Sequence, residues 1–370
     1  MSTQERYARP PGDTEWVVKQ GFDTTFRWEY EDGRDKLLNL YEKGKRLQWN
    51  AAERIDWSQD LDPENPEQMP DQTIPIFGSA VWDRMNAAEH AKVRRHFQAW
   101  QLSQFMHGEQ GALICTAKIV QQVPNLDAKF YAATQVIDEA RHVEAFSRLL
   151  HEKFDIVYPI NPFLQTLLEQ TLSESRWDFT YLGMQVLIEG VALASFGLIR
   201  DQAQNPLAAS VNAYVMQDEA RHVAFGRLAL RDYYPHLTQK ERDEREEFAV
   251  EGCYLLRDRF LGQEVWDTLG LPVDECAHYM ENSEMMRLYR TSLFTRIVPT
   301  MKEIGLWGPR IQKAYADMGV IGFADVDLDA IAAHDENVGE SFDRRRDIAA
   351  TAALGAGDAS AAVAGLERLQ

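Results

Sequence analysis

The sequence predicts an all-α protein, a four-helix bundle with additional flanking helices. Three observations carry that expectation. Strand-type alternation is almost absent along the 370 residues. Long stretches run without proline between abrupt Pro-Asn or Asn-Pro breaks. The hexapeptide DEARHV occurs at Asp138–Val143 and again at Asp218–Val223, an offset of 80 residues that marks two equivalent supersecondary units.

Composition sets the frame. A chain of this length, 45% hydrophobic, can bury a sizeable core. Its formal net charge of −19 repels nucleic acid and anionic membrane surfaces, so neither is an expected partner. No apolar run of the roughly 18 residues that a membrane span needs stands out. The opening MSTQERYARPPGDTEW has no apolar segment of signal-peptide type. Cys115, Cys253 and Cys276 are scattered and form neither a disulfide framework nor a cysteine-type zinc motif, which makes a reducing cytoplasm the expected setting.

The elements follow in order. Residues 1–80 read as an N-terminal extension. It holds one helix within Asp32–Trp49, with apolar Leu37, Leu38, Leu40 and Tyr41, and then a proline-rich loop from Pro63 to Pro75. Residues 81–325 read as one helical domain. Its first helix fills Asn86–Val123 and stops at Pro124-Asn125. A second spans Leu126–Phe154 and ends at YPINP. A third covers Phe163–Gln204, with a kink expected at Ser173–Arg176. Asn205-Pro206 ends it, and a fourth spans Leu207–Tyr234. Two more long helices are expected over Gln239–Leu269 and Val273–Ile304. Residues 326–370 close in an Ala/Gly-rich stretch and read as a flexible C-terminal tail or a late-docking helix.

The repeat extends beyond the hexapeptide. At the same offset Glu109 meets Glu189, Ala112 meets Ala192, Ile119 meets Ile199, and Asn125 meets Asn205. Each unit is therefore a helix with a central Glu, a break, and a second helix carrying Glu-x-x-His. Two such hairpins make a four-helix bundle. Glu139 and His142 share one helix face, as do Glu219 and His222. With Glu109 and Glu189, that puts four carboxylates and two imidazoles into one interior, a costly arrangement without compensating cations. Two divalent ions would balance the four carboxylates. Mixed oxygen and imidazole donors suit iron or manganese. The flanks "GEQGALI" and "VLIEGVALASFG" are apolar, as an interior site requires. About one turn from the two central glutamates lie Phe105, Met106 and Ala112, and Gln185, Leu193 and Phe196, candidates to line a substrate pocket.

With these motifs the chain resembles the ferritin-like di-iron carboxylate proteins, and within them the oxygenase branch. The D-E-x-R-H form is similar to that of bacterial multicomponent monooxygenase hydroxylases and acyl-carrier-protein desaturases. The resemblance covers about residues 81–260. It implies a metal set of Glu109, Glu139, His142, Glu189, Glu219 and His222, holding two Fe ions or a Mn/Fe pair. It implies that Asp138 supports His222 and Asp218 supports His142, with Arg141 and Arg221 beside those carboxylates. It further implies an O2-dependent oxidase or monooxygenase that hydroxylates, desaturates or N-oxygenates a small, partly apolar organic substrate. The sequence has no flavin, nicotinamide or cysteine-cluster motif, so an external reductase or ferredoxin is expected. A homodimer is compatible with the family.

Three positions depart from particular branches. Phe146 stands where ribonucleotide reductase subunits carry a radical tyrosine. Val215 stands where the arylamine N-oxygenases carry a seventh ligand, a histidine. Leu193 stands where several hydroxylases have threonine. The contrasting expectation is a ferroxidase or metal-binding protein with no organic substrate.

Overall fold

A computed structural model describes residues 21–25 and 35–355. Helix α1 (Asp35–Arg46) comes from the extension and buries Leu37 completely. Helix α2 (Ala87–Gln122) starts at a capping box. The Asn86 side chain accepts from the Ala88 and Glu89 amides, and the Glu89 side chain reaches back to the Asn86 amide. Helix α3 (Leu126–Arg148) is capped by Asn125 and runs on through one π turn, Leu149–Phe154. Together α2 and α3 form the first hairpin.

The crossover is helix α4 (Pro162–Ser173), and the second hairpin is α5 (Trp177–Gln202) with α6 (Pro206–Tyr233). The kink expected at Ser173–Arg176 is a full break, because Glu174 and Arg176 take extended backbone. Buried Lys118 of α2 fixes that break: its Nζ donates to the carbonyls of Thr171, Leu172 and Glu174, capping the end of α4. By length and composition α5 could cross a membrane, yet 83% of its apolar window is buried against its neighbours, as in a bundle core helix.

Helix α7 (Gln239–Asp258) opens on the Thr238/Glu241 capping box. The two long helices expected after Gln239 are instead a series of shorter ones. Gly262 sits at φ 52°, a left-handed conformation that stops the first. Ser283 caps a new start at α8 (Glu284–Ser292). Residues 356–370 lie outside the described residues; of the two expectations for the C-terminal stretch, Leu328–Gly355 takes the docked helix, α9, packed on α6. Its Asp335 is only 5% exposed and pairs with Arg200 at 3.3 Å and Arg296 at 2.6 Å, which ties it to the bundle. Among the described residues there is no strand.

Candidate metal centre

The four bundle helices α2, α3, α5 and α6 each carry part of one buried cluster. Donor atoms of Glu109, Glu139, His142 and Glu219 lie within 4.8 Å of one another, and so do those of Glu139, Glu189 and His222. His142 Nδ1 is 3.1 Å from Glu109 Oε2 and 3.1 Å from Glu219 Oε1. His222 Nδ1 is 3.0 Å from Glu139 Oε1 and 3.2 Å from Glu219 Oε1. Glu139 and Glu219 therefore stand between the two histidines, with Glu109 and Glu189 on the outer flanks. All six side chains are 5% exposed or less.

The outer nitrogens of the imidazoles are held across the bundle. His142 Nε2 is 3.1 Å from Asp218 Oδ2, and His222 Nε2 is 3.2 Å from Asp138 Oδ2. Donation of Nε2–H to the aspartates leaves each Nδ1 lone pair facing the cluster. Arg141 bonds both Asp138 and Asp218, the latter at 2.8 Å, and Arg221 bonds both as well. The two Asp–Arg motifs thus close into one network behind the histidines.

Electrostatics point the same way. Burial pushes the Glu109 and Glu189 carboxyls well above the ordinary range, and the charge of Glu219 adds to it. Burial also raises Glu139, but the neighbouring His222 and His142 rings overcome it and hold that carboxylate low. One oxygen each of Glu139 and Glu189, both oxygens of Glu219, and His222 Nδ1 have no hydrogen-bond partner. Buried acceptors without donors are costly. A pair of divalent cations satisfies them with oxygen and nitrogen donors, so the residues present fit such a pair.

Several functional residues escape sequence reasoning. Gln48 Nε2 donates to Asp138 Oδ1 at 2.7 Å, and Trp49 Nε1 donates to Asp218 Oδ2 at 2.8 Å, so adjacent residues of the extension cap the two aspartates. Gln135 Nε2 donates to Glu139 Oε1 at 2.9 Å and to Glu189 Oε1 at 3.0 Å. Gln135 precedes Glu139 by one helical turn, and that spacing could have revealed it.

A small cavity adjoins the donors. Of the residues expected to line a pocket, Phe105 and Ala112 do so, whereas Met106, Gln185, Leu193 and Phe196 do not. For Gln185 the cause is a π segment, Leu182–Ile188, inside α5. It places Met184, five residues before Glu189, on the cavity wall, and rotates Gln185 into the core. Phe196 packs instead against Phe105 and Phe146, with ring centroids 4.6 and 5.7 Å away. Val215 is a fully buried core residue. The cavity is also lined by Arg259, which is 5% exposed and pairs with no carboxylate among the described residues. Burial lowers its guanidinium to about 10.

Fold and donor set define the ferritin-like class with a di-metal carboxylate site. The family model described as "P-aminobenzoate N-oxygenase AurF" matches residues 31–305, and the chain belongs to that family. A search of curated proteins finds no match. Among solved structures the chain is similar to an R2-like ligand-binding oxidase with aerobically reconstituted metal cofactor after photoconversion. That match has 19% identity and a TM-score of 0.48, and covers 79% of this chain and 100% of the other. A mutant of an R2-like ligand-binding oxidase with an anaerobically reconstituted Mn/Fe cofactor matches at 19% identity and a TM-score of 0.44, covering 78% and 100%.

Proposed function

We propose that this protein is a di-iron monooxygenase that uses O2 to oxidise an organic acid, with N-oxygenation of an amine-bearing aryl acid the first reaction to test. The observation that carries the reading is the buried set Glu109, Glu139, His142, Glu189, Glu219 and His222, several of whose oxygens and one nitrogen have no hydrogen-bond partner and suit a cation as ligands. The family description supports an organic amine as substrate. Arg259, without an acidic partner at the cavity wall, supports an anionic group on it. Val215 in place of the N-oxygenases' extra histidine leaves one metal with one donor fewer than in that branch.

Bound iron supplies the electrons and open coordination positions that activate O2. The chain's own residues do the rest. Asp138 and Asp218 hold the imidazoles in the tautomer that offers Nδ1 inward. Gln135 holds Glu139 and Glu189 in register. Phe105, Phe146 and Phe196 keep one side of the site dry. Insertion of one oxygen atom takes two electrons from the substrate and two from a donor, the other atom leaving as water. A separate reductase or ferredoxin provides the donor pair.

The test is to load the protein with Fe(II), expose it to O2 and screen amine-bearing and other aryl acids for stimulated O2 uptake. Two irons per chain with substrate-dependent uptake is the expected result. Rapid uptake that deposits many irons per chain, with no substrate effect, would overturn it in favour of a ferroxidase.

A further inference from the structure

The cavity beside the donors is small, about 20 Å³. A second chamber of about 490 Å³ lies along the same seam between α2 and α5. From α2 it is lined by Phe97, Gln98 and Gln101, which precede Phe105 and Glu109 on that helix. From α5 it is lined by Leu198, Ile199 and Gln202, which follow Ala192 and Glu189. Gln101 precedes Glu109 by eight residues, a rise of ~12 Å. Every lining side chain is uncharged and most are apolar. The size is that of a chamber for a small organic molecule. Met285 and Leu288 of α8 line it while 39% and 55% exposed, so they form its mouth.

Tyr289 of α8 is a chamber residue that adjoins the lining of the smaller cavity. It lines the chamber, and Ser195 of α5 and Gln101 of α2 are its polar neighbours, on the stretches of those helices that lie between the two spaces. It is also the electrostatic neighbour of Arg259, which lines the smaller cavity. Its ring packs edge-on against Phe260 at 5.8 Å.

We infer that the chamber binds an uncharged, apolar body of the substrate and that Tyr289 is the partition between chamber and metal site. This rests on the function proposed above. It makes the substrate larger than a single-ring acid: the reactive end and anionic group lie by Arg259, and the apolar remainder fills the α2/α5 seam. Tyr289 is a positioning residue, since it closes the passage without touching the donors.

The chamber is tested on metal-free protein with N-phenyl-1-naphthylamine, an uncharged fluorescent probe. One probe per chain should bind. Leu198→Trp on α5 and Ser292→Trp on α8 should each weaken binding at least tenfold while iron uptake stays at two per chain. No binding to the wild type, or equal binding to both folded variants, would overturn the chamber.

The partition is tested on the iron-loaded protein through the growth of the azide absorption band. Saturating probe should slow azide uptake in the wild type, and Tyr289→Ala should speed it at least tenfold. Azide rates indifferent to probe and to Tyr289→Ala would overturn the partition. Normal probe binding with no substrate-stimulated O2 uptake would instead defeat the proposed oxygenase function and leave the chamber standing.

Discussion

Phe105 and Phe146 of the first repeat unit correspond, at the offset of 80, to Gln185 and Gly226 of the second. In the first unit the two rings sit 5.7 Å apart. In the second the helices come so close that a Cβ on Gly226 would lie 2.5 Å from the Cβ of Gln185. The π segment of α5 has no counterpart in α2. Gln135, which holds two of the carboxylates, has Val215 as its partner in the second unit. Behind the donors the first aspartate takes an amide from Gln48 and the second an indole from Trp49. The six donors are equivalent in type while their supports are not. The first unit contributes aromatic bulk and a hydrogen-bond donor, and the second contributes close approach and a rotated helix face beside the cavity.

The sharpest way to break the comparison is at the donors themselves. Glu139→Ala and Glu219→Ala should each lower bound iron from two per chain to one or fewer, because both stand between the histidines. Iron content after reconstitution checks it, and full occupancy in either variant refutes the shared position.

Next come the unequal pairs. Phe146→Ala leaves a void beside Phe105 and Phe196 and should cost ~3–5 kcal/mol of stability. Gly226→Ala forces a Cβ against Gln185 and should cost ~1–3 kcal/mol. Denaturant unfolding of the metal-free protein measures both. A neutral Gly226→Ala would mean that α5 and α6 can part freely.

Smaller effects are expected behind the histidines. Asp138→Asn and Asp218→Asn should weaken iron retention by roughly 10- to 100-fold without unfolding the chain. Gln48→Ala and Trp49→Phe, one step further out, should lie at or below the low end of that range. Chelator competition ranks the four. Equal losses in the inner and outer pairs would show that the network does not act through the aspartates.

The smallest effect sharpens the comparison at the turns. The second turn is held from the extension, since the Asn205 amide donates to the Glu67 carbonyl at 3.3 Å. The Glu67 side chain is fully buried, neither oxygen has a partner, and burial raises it to about 8. The folded chain therefore keeps this proton at pH values where the unfolded chain has lost it. Its contribution is fully present below the ordinary carboxyl range and is lost as pH rises through about 8. The Tm of Glu67→Gln relative to wild type should climb by a few degrees as pH rises from about 5 to about 9, because only the wild type loses this stability. A Tm difference that stays constant over that range would contradict the assignment.

Much of this was legible in the sequence because it is local or repeated. Helix ends at Asn125, Asn161 and Asn205 follow from capping chemistry next to proline. The donor set follows from a doubled Glu-x-x-His with an upstream Glu. What stayed hidden depends on contacts far apart in the chain. Gln48 and Asp138 are 90 residues apart and Trp49 and Asp218 are 169 apart, so no spacing rule joins them. The π segment changes which residue faces the cavity by one position, and a 3.6-residue period cannot anticipate that. Arg259 closes a helix outside the four-helix core, where periodicity says nothing of the interior. The α9 helix looked like a tail because its composition is poor in large apolar residues, yet Asp335 docks it by charge.

The capping of Asp138 and Asp218 by Gln48 and Trp49 makes the extension and the ion-binding site thermodynamically reciprocal. Whatever tightens iron must, by the same factor, hold the segment from α1 to Trp49 against local opening. That segment is then a reporter. Limited proteolysis near residues 47–50 should be slower in the loaded protein than in the empty one. A nick there would release iron from a bundle whose own helices remain intact.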